Sequence, residues 1–373
     1  MSNYIEINGK PIGPGHPVYI VAELSANHHQ NFDQAVRIIE AAKQAGVDAI
    51  KLQTYTPDTL TIRSNKEYFR IGGGTLWDGR TLYDLYSEAY TPWEWQPRLK
   101  ELADALGLDF FSTAIDPSAV DFLDGINVPV HKIASFEIID IPLIEKMART
   151  GKPLIISTGM ATQSEIKEAV EAARNAGARQ IALLKCTSAY PAPPEEMNLR
   201  TIPHMAETFN TIIGLSDHTL GIAVPVAAVT LGACIVEKHV TLSRSLPGPD
   251  SAFSLEPHEL TSMVEAIRTV EKAIGEVRYG TSEQEAKSRN FRRSLFVVED
   301  VKAGEAFTSK NVRSIRPSHG LHTRHLSEII GRQASRDVAR GTPFTLDLIK
   351  EGGTAVKGAS VDPVLSDSEQ SER

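Results

Sequence analysis

Residues 211–218 read TIIGLSDH, and residues 233–239 read ACIVEKH. Each is a short apolar run of the kind that forms a strand buried on both faces. Each ends on charged groups and an imidazole: Asp217 and His218 in one, Glu237, Lys238 and His239 in the other. Upstream the same kind of run recurs as PVYIVAEL (17–24), AIKLQ (49–53), DFFSTA (109–114), VHKIAS (130–135), LIISTG (154–159) and IALLKCT (181–187). With IIGLS (212–216) and ACIVEKH the total is eight. The intervening segments have helical periodicity. NFDQAVRIIEAAKQAG puts Ala35, Ile38, Ile39 and Ala42 on one face and stops at Gly46. QSEIKEAVEAARNAG follows the N-cap candidate Thr162, and a last helix is expected over roughly 257–275. Eight strand–helix units predict an α/β fold, a closed (β/α)8 TIM barrel over residues 1–280. The competitor, a doubly wound open sheet, often has a glycine-rich phosphate loop after its first strand. Here that strand ends AELSANH.

Strands two and three are far apart, which leaves an insertion over about 54–92. In a barrel it lies at the C-terminal face, where active sites are built. Its Gly72–Gly74 turn and its Trp77, Tyr83, Tyr86 and Tyr90 suit either a substrate lid or a helical cap whose aromatics merely pack. After Gly280 the character changes. Residues 281–291 are polar and resemble a linker, and 292–352 reads as a small β-rich domain with a KAGE turn and a helix near 325–330. Residues 353–373 lack apolar periodicity and are expected to be a disordered tail.

Bulk properties exclude several classes. The 373 residues carry a net charge of −8, so a general binder of nucleic acid or anionic membrane is not expected. The two cysteines, Cys186 and Cys234, lie in apolar runs and read as small buried residues, which suits a reducing cytoplasm. The N-terminus shows no apolar signal region, and no stretch approaches the roughly 20 apolar residues of a membrane span.

In a barrel the strand ends converge. In chain order they offer Glu23, Asn27 and His28; Lys51 and Gln53; Ser112 and Thr113; Lys132 and Ser135; Ser157 and Thr158; Lys185, Thr187, Ser188 and Tyr190; Ser216, Asp217 and His218; and Glu237 and His239. Such a polar ring is costly unless something charged binds there. Lysines with hydroxyls such as Thr113 and Ser216 suit a phosphate or carboxylate. His218 and His239 on adjacent strands suit a divalent metal completed by water or substrate oxygens, and Glu23 suits proton transfer. Taken singly, a lysine here can be a salt-bridge partner and a histidine a hydrogen-bonded structural residue. His204, His258, His322 and His325 fall on segments expected to be solvated.

The motifs AELSANH (22–28), KLQTYTPD (51–58), HKIAS (131–135), ISTGM (156–160), CTSAYPAP (186–193), GLSDHTLG (214–221), EKHVTL (237–242) and PGPDSAFS (247–254) together resemble the sialic acid (N-acetylneuraminate) synthase family. The C-terminal region, with IRPSHGL (315–321), resembles that family's antifreeze-like (SAF) domain. The resemblance implies a transferase that condenses phosphoenolpyruvate with an open-chain amino-sugar aldehyde by C–O cleavage. It implies that His218 and His239 bind Mn²⁺, with Mg²⁺ or Co²⁺ as the other candidates. Lys51, Lys132, Ser135, Ser157 and Ser188 match residues that hold phosphoenolpyruvate, although Ser188 departs from the asparagine of the neuraminate branch. Glu23 matches the acid near the reacting carbons, and Tyr190 and Asp250 match sugar-site residues. Arg316 matches an arginine inserted into the partner's barrel, which implies a domain-swapped homodimer. KLQTY (51–55) replaces the KHQTH-type motif of the neuraminate branch. With the aromatic insertion it resembles the subgroup that uses a 2,4-diacetamido-2,4,6-trideoxy sugar. Rival readings are a Schiff-base barrel aldolase using Lys132 or Lys185, and a sugar-binding scaffold without catalysis.

Overall fold

All eight apolar runs form strands, and the strands close on themselves. They are β1 (Tyr19–Glu23), β2 (Ala49–Thr54), β3 (Asp109–Ala114), β4 (His131–Ile133), β5 (Leu154–Ser157), β6 (Ile181–Cys186), β7 (Ile212–Asp217) and β8 (Ile235–His239). Each pairs in parallel with the next, and β8 returns to β1. This computed structural model describes residues 4–246 and 248–351. The expected tail, 353–373, lies outside the described residues. By contacts the chain divides into two units, Met1–Gly275 and Glu276–Arg373.

The helices form where the apolar stripe and the caps agree. In Phe32–Ala45 the side chain of Asn31 accepts from the Gln34 amide, and Ala35, Ile38, Ile39 and Ala42 are buried. Gly46 ends that helix at φ 85°, the left-handed conformation that glycine adopts without steric penalty. Thr162 and Glu165 cap Gln163–Asn175 reciprocally. The last barrel helix is Pro257–Ile274.

A hairpin, Ile5–Ile7 with Lys10–Ile12, precedes the barrel. Asn8 Nδ2 and Lys10 Nζ donate to the two oxygens of Asp109 at 2.8 and 2.9 Å, and Tyr19 Oη donates at 2.8 Å. Asp109 and Tyr19 begin β3 and β1, so the hairpin ties to the N-terminal end of the barrel, opposite the strand ends that carry the polar ring.

The insertion after β2 holds a helix Pro57–Leu60 and a helix Leu82–Ala89. Its turn is closed by the Gly74 and Thr75 amides, which donate to Asp78. It is anchored by Trp77 Nε1, which donates to the Pro249 carbonyl at 2.9 Å, and by Tyr86 set edge-on to Tyr55.

In the second unit β9 (Ser294–Val297) pairs antiparallel with β10 (Val312–Ile315). Its own core includes Leu295, Val297, Phe307, Leu321 and Phe344, with Phe307 and Phe344 edge to face at 4.8 Å. Residues 281–291 are not featureless: Ser282 caps a helix Glu283–Ser288, followed by a 3-10 turn. His325, expected on the surface, is buried and lies 2.9 Å from Glu328. A carboxylate one turn ahead makes that burial tolerable. Among the described residues no helix is long and apolar enough to cross a membrane.

Candidate active site

The register explains which strand-end side chains meet. Glu23 pairs with Lys51 across β1 and β2 and with His239 across β1 and β8, while Ser216 sits opposite Glu237 across β7 and β8. These residues surround a cavity of about 440 Å³ at the C-terminal end of the barrel. Lys51, Thr113, Lys132, Ser135, Ser157, Tyr190, Ser216, His218, His239 and Asp250 all line it. Glu23 is fully buried beneath, with its Oε2 2.6 Å from Lys51 Nζ. Ser188 sits at the edge, its Oγ 3.8 Å from Cys186 Sγ. Arg316 is exposed after β10 in the second unit.

Other members of the predicted ring are structural. Asn27 donates to the Val240 carbonyl and to Ser254 at 2.8 and 2.9 Å. His28 accepts from the Gln30 amide and meets Thr91 at 3.2 Å. Lys185 turns onto the Cys186 carbonyl and Thr187. Asp217 pairs with Lys238 Nζ at 2.5 Å, both side chains fully buried. Successive side chains alternate across a strand, so Ser216 and Glu237 face the cavity while Asp217 and Lys238 neutralise each other on the other side.

Charge in the cavity is tightly balanced. Lys51 Nζ stands between Glu23 (2.6 Å) and Glu237 Oε1 (3.4 Å) and donates to Thr113 at 3.1 Å. Burial opposes the Lys51 ammonium, but the two carboxyls carry it above the ordinary lysine value. One ammonium cannot compensate two buried carboxylates. Burial, with the charge of Glu237 beside it, pushes Glu23 up to about 7. Glu237 is also buried, yet Lys51 and Lys132 hold it below the ordinary value. The shorter contact therefore does not decide which acid is ionised: Glu237 faces two lysines and keeps the charge, and Glu23 is the acid that holds its proton more tightly. Lys132 Nζ bonds Ser157 Oγ at 2.6 Å and the Ile133 carbonyl at 2.8 Å, and burial holds it below the usual lysine range.

Ser135 Oγ accepts from the Gly159 amide at 3.0 Å. A Cβ at Gly159 would lie 2.7 Å from that oxygen and crowd Ser188 Oγ as well. Only glycine leaves room for both hydroxyls here, and together with Lys132 and its partner Ser157 they supply the donor types that suit an anion.

The rings of His218 and His239 lie 5.2 Å apart. His218 Nδ1 is 3.0 Å from the Thr187 carbonyl, which assigns the proton to Nδ1 and the lone pair to Nε2. His239 is held neutral chiefly by burial, and its buried Nδ1 has no hydrogen-bond partner. His218 is also buried, but Cys186 and the Thr187 carbonyl raise it above the ordinary imidazole value. The two imidazoles fit a divalent ion, which would take the place of the proton on His218 Nε2. Among the described residues no group of three or more His, Cys, Asp or Glu could hold one, so an ion bound by this pair would need water or substrate oxygens to complete its shell.

Reading of the sequence missed Glu137. It follows β4 in a 3-10 turn, lines the cavity, has one buried oxygen without a partner, and is pushed up to about 7 by burial. The signal was its place two residues after Ser135. Cys186, read as packing, also lines the cavity. The insertion contributes Leu60, Ile71, Trp77, Leu82, Leu85 and Tyr86, a largely apolar part of the cavity lining.

A model described as the NeuB family matches residues 38–279, and one described as the SAF domain matches 292–350. The chain is 46% identical over 335 residues to a pseudaminic acid synthase of Helicobacter pylori, covering 90% of this chain and 98% of that one. It is 35% identical to an N,N'-diacetyllegionaminic acid synthase of Legionella pneumophila, covering 94% of this chain and all (100%) of that one. Among solved structures, the N-acetylneuraminic acid synthetase of Leptospira borgpetersenii superposes with TM-score 0.69 at 32% identity, covering 77% of this chain and 95% of that one.

Proposed function

We propose that this chain, which belongs to the NeuB family, condenses phosphoenolpyruvate with 2,4-diacetamido-2,4,6-trideoxy-β-L-altropyranose and water, giving pseudaminic acid and phosphate. The observation that carries the reading is the mixed lining of one pocket: lysines and serines suited to an anion, together with apolar side chains from the insertion. The lysines and serines suit the phosphate and carboxylate of phosphoenolpyruvate. The apolar side chains suit a sugar that ends in a methyl group and carries a second acetamido group. The relatives named pseudaminic acid synthase support the same choice of sugar.

In this reading carbon 3 of phosphoenolpyruvate attacks the aldehyde carbon of the open-chain sugar. Water adds at carbon 2, and the tetrahedral intermediate loses phosphate by C–O cleavage. Lys132, Ser135, Ser157 and Ser188 hold the phosphoenolpyruvate, with Lys51 beside them. Glu23, poised near neutral pH, transfers the proton at the reacting carbons. Tyr190 and Asp250 face the sugar, and Thr113 and Ser216 hold Lys51 and Glu237 in place. His218 and His239 would hold a divalent ion, Mn²⁺ by the family's habit, which when bound would supply Lewis-acid chemistry.

Exposed apolar side chains on the loops after the barrel strands, including Phe136, Ile139, Met160, Leu220 and Leu246, support burial of this face in a homodimer. Arg316, exposed in the antifreeze-like domain proposed over 292–352, is the residue we assign to the partner's pocket. The free thiols of Cys186 and Cys234 support a reducing, cytoplasmic location.

The test is phosphate release from phosphoenolpyruvate with Mn²⁺, with and without EDTA, comparing the altrose-derived sugar, its legionaminate counterpart and N-acetylmannosamine. Metal-dependent release with the altrose-derived sugar alone is the expected result. Release with another sugar moves the specificity and keeps the reaction. No release with any of them, or borohydride trapping of Lys132 without metal, overturns the reading.

A further inference from the structure

Ser25 lies two residues beyond Glu23, is 1% exposed, and has φ 48°. That left-handed conformation is unfavourable for a residue with a Cβ, and a glycine would adopt it freely. The turn alone gives no reason for a serine. The side chain does. Ser25 Oγ donates to Asp250 Oδ2 and accepts from Gln53 Nε2 at 3.0 Å. The Ala26 amide lies 3.5 Å from the same Asp250 oxygen. Gln53 and Asp250 both line the cavity, one at the end of β2 and the other in the loop after β8. Asp250 is 225 residues from Ser25 in sequence, so the hydroxyl bridges distant loops.

We propose that Ser25 is a positioning residue for the sugar, joining Gln53 and Asp250 into one hydrogen-bonded array. A hydroxyl has one proton and two lone pairs. Its proton goes to the carboxylate, and a lone pair takes the Gln53 amide. Each partner is thereby turned to a single orientation. Asp250 Oδ1 and Gln53 Oε1, which the array does not use, are the acceptors offered to hydroxyl and amide hydrogens of the sugar. Without the hydroxyl, the Gln53 amide and the carboxylate are no longer coupled and can rotate apart. The array shares no hydrogen bond with the Lys132–Ser157 pair. The assignment rests on the condensation reaction proposed above.

The test compares wild type with S25G and S25A in the phosphate-release assay, varying each substrate in turn. Both variants lose the hydroxyl, but only S25A keeps a Cβ in the strained conformation. The expected result is a rise of about tenfold in KM for the sugar in both variants, the effect of losing one hydrogen bond to a charged group. KM for phosphoenolpyruvate should stay within about twofold. A merely structural serine would leave S25G, which relieves the strain, indistinguishable from wild type. An unchanged sugar KM in S25G, with active wild type, overturns the role of Ser25 alone. Equal rises in KM for both substrates overturn it too. Wild-type protein that releases no phosphate with any sugar overturns the reaction and this role together.

Discussion

Glu23→Gln should make the barrel more stable at pH 8 and stop turnover. Glu23 is fully buried, and its carboxyl releases its proton at about 7 in the folded protein against an ordinary value of 4.5. Between those values the folded chain binds more protons than the unfolded chain, so stability falls as pH rises. The penalty is absent below 4.5 and complete above 7. At about 1.36 kcal/mol for each pH unit, the gap corresponds to roughly 3 kcal/mol. Glutamine has the shape of the protonated acid and escapes the penalty at every pH. Lys51 is not orphaned, because Glu237 lies at 3.4 Å and Thr113 at 3.1 Å. The assay is urea denaturation at pH 5 and pH 8. The protein has three tryptophans, Trp77, Trp93 and Trp95, so fluorescence reports the barrel unit alone. E23Q should gain less than about 1 kcal/mol at pH 5 and roughly 3 kcal/mol at pH 8. Turnover on the same samples should fall by at least about 10²-fold. A variant no more stable than wild type at pH 8, or one whose advantage does not grow with pH, would refute the placement of an acid under strain at this position.

His131 is buried at the start of β4, both ring nitrogens lack partners, and burial, aided by the charge of Lys152, pushes it down to about 4. The unfolded chain protonates it first, so wild type should lose roughly 3 kcal/mol as pH falls from about 6.5 to 4. His131→Leu should flatten that acid limb in urea titrations, whatever it does to stability at pH 7. Lys132→Met removes an ammonium from the cavity, and the KM for phosphoenolpyruvate should rise by at least about tenfold with a smaller change for the sugar. His218→Ala and His239→Ala should each lower bound Mn²⁺ in equilibrium dialysis as well as activity; full metal content in both excludes the imidazole pair as the site. Trp77→Ala removes a ring that packs at a tilt against Tyr190, centroids 5.6 Å apart, and bonds the Pro249 carbonyl. It should erode the preference for the diacetamido sugar over N-acetylmannosamine, and an unchanged preference would take the insertion out of specificity.

The barrel was legible because its signal is repetition. Eight apolar runs, each followed by a helix with one buried stripe, leave few architectures, and the caps at Asn31, Gly46 and Thr162 are local in sequence. The polar ring was legible for the same reason, since strand ends in a barrel converge whatever the loops do. Glu23, Lys51, Lys132, Ser157, His218 and His239 could therefore be gathered before any geometry was known. Tertiary structure alone decided which of two adjacent charged residues faces the cavity. A parallel strand buried on both faces shows no alternation of apolar and polar side chains from which to read its parity. In EKH (237–239) all three residues are charged or polar, and only the register places Glu237 and His239 inward and Lys238 against Asp217. Contacts spanning most of the chain were equally closed to sequence: Asp109 with the N-terminal hairpin, and Ser25 with Asp250. So was Glu137, whose grip on its proton comes chiefly from burial. Periodicity and caps act over a few residues, whereas desolvation and register depend on what the rest of the chain brings alongside.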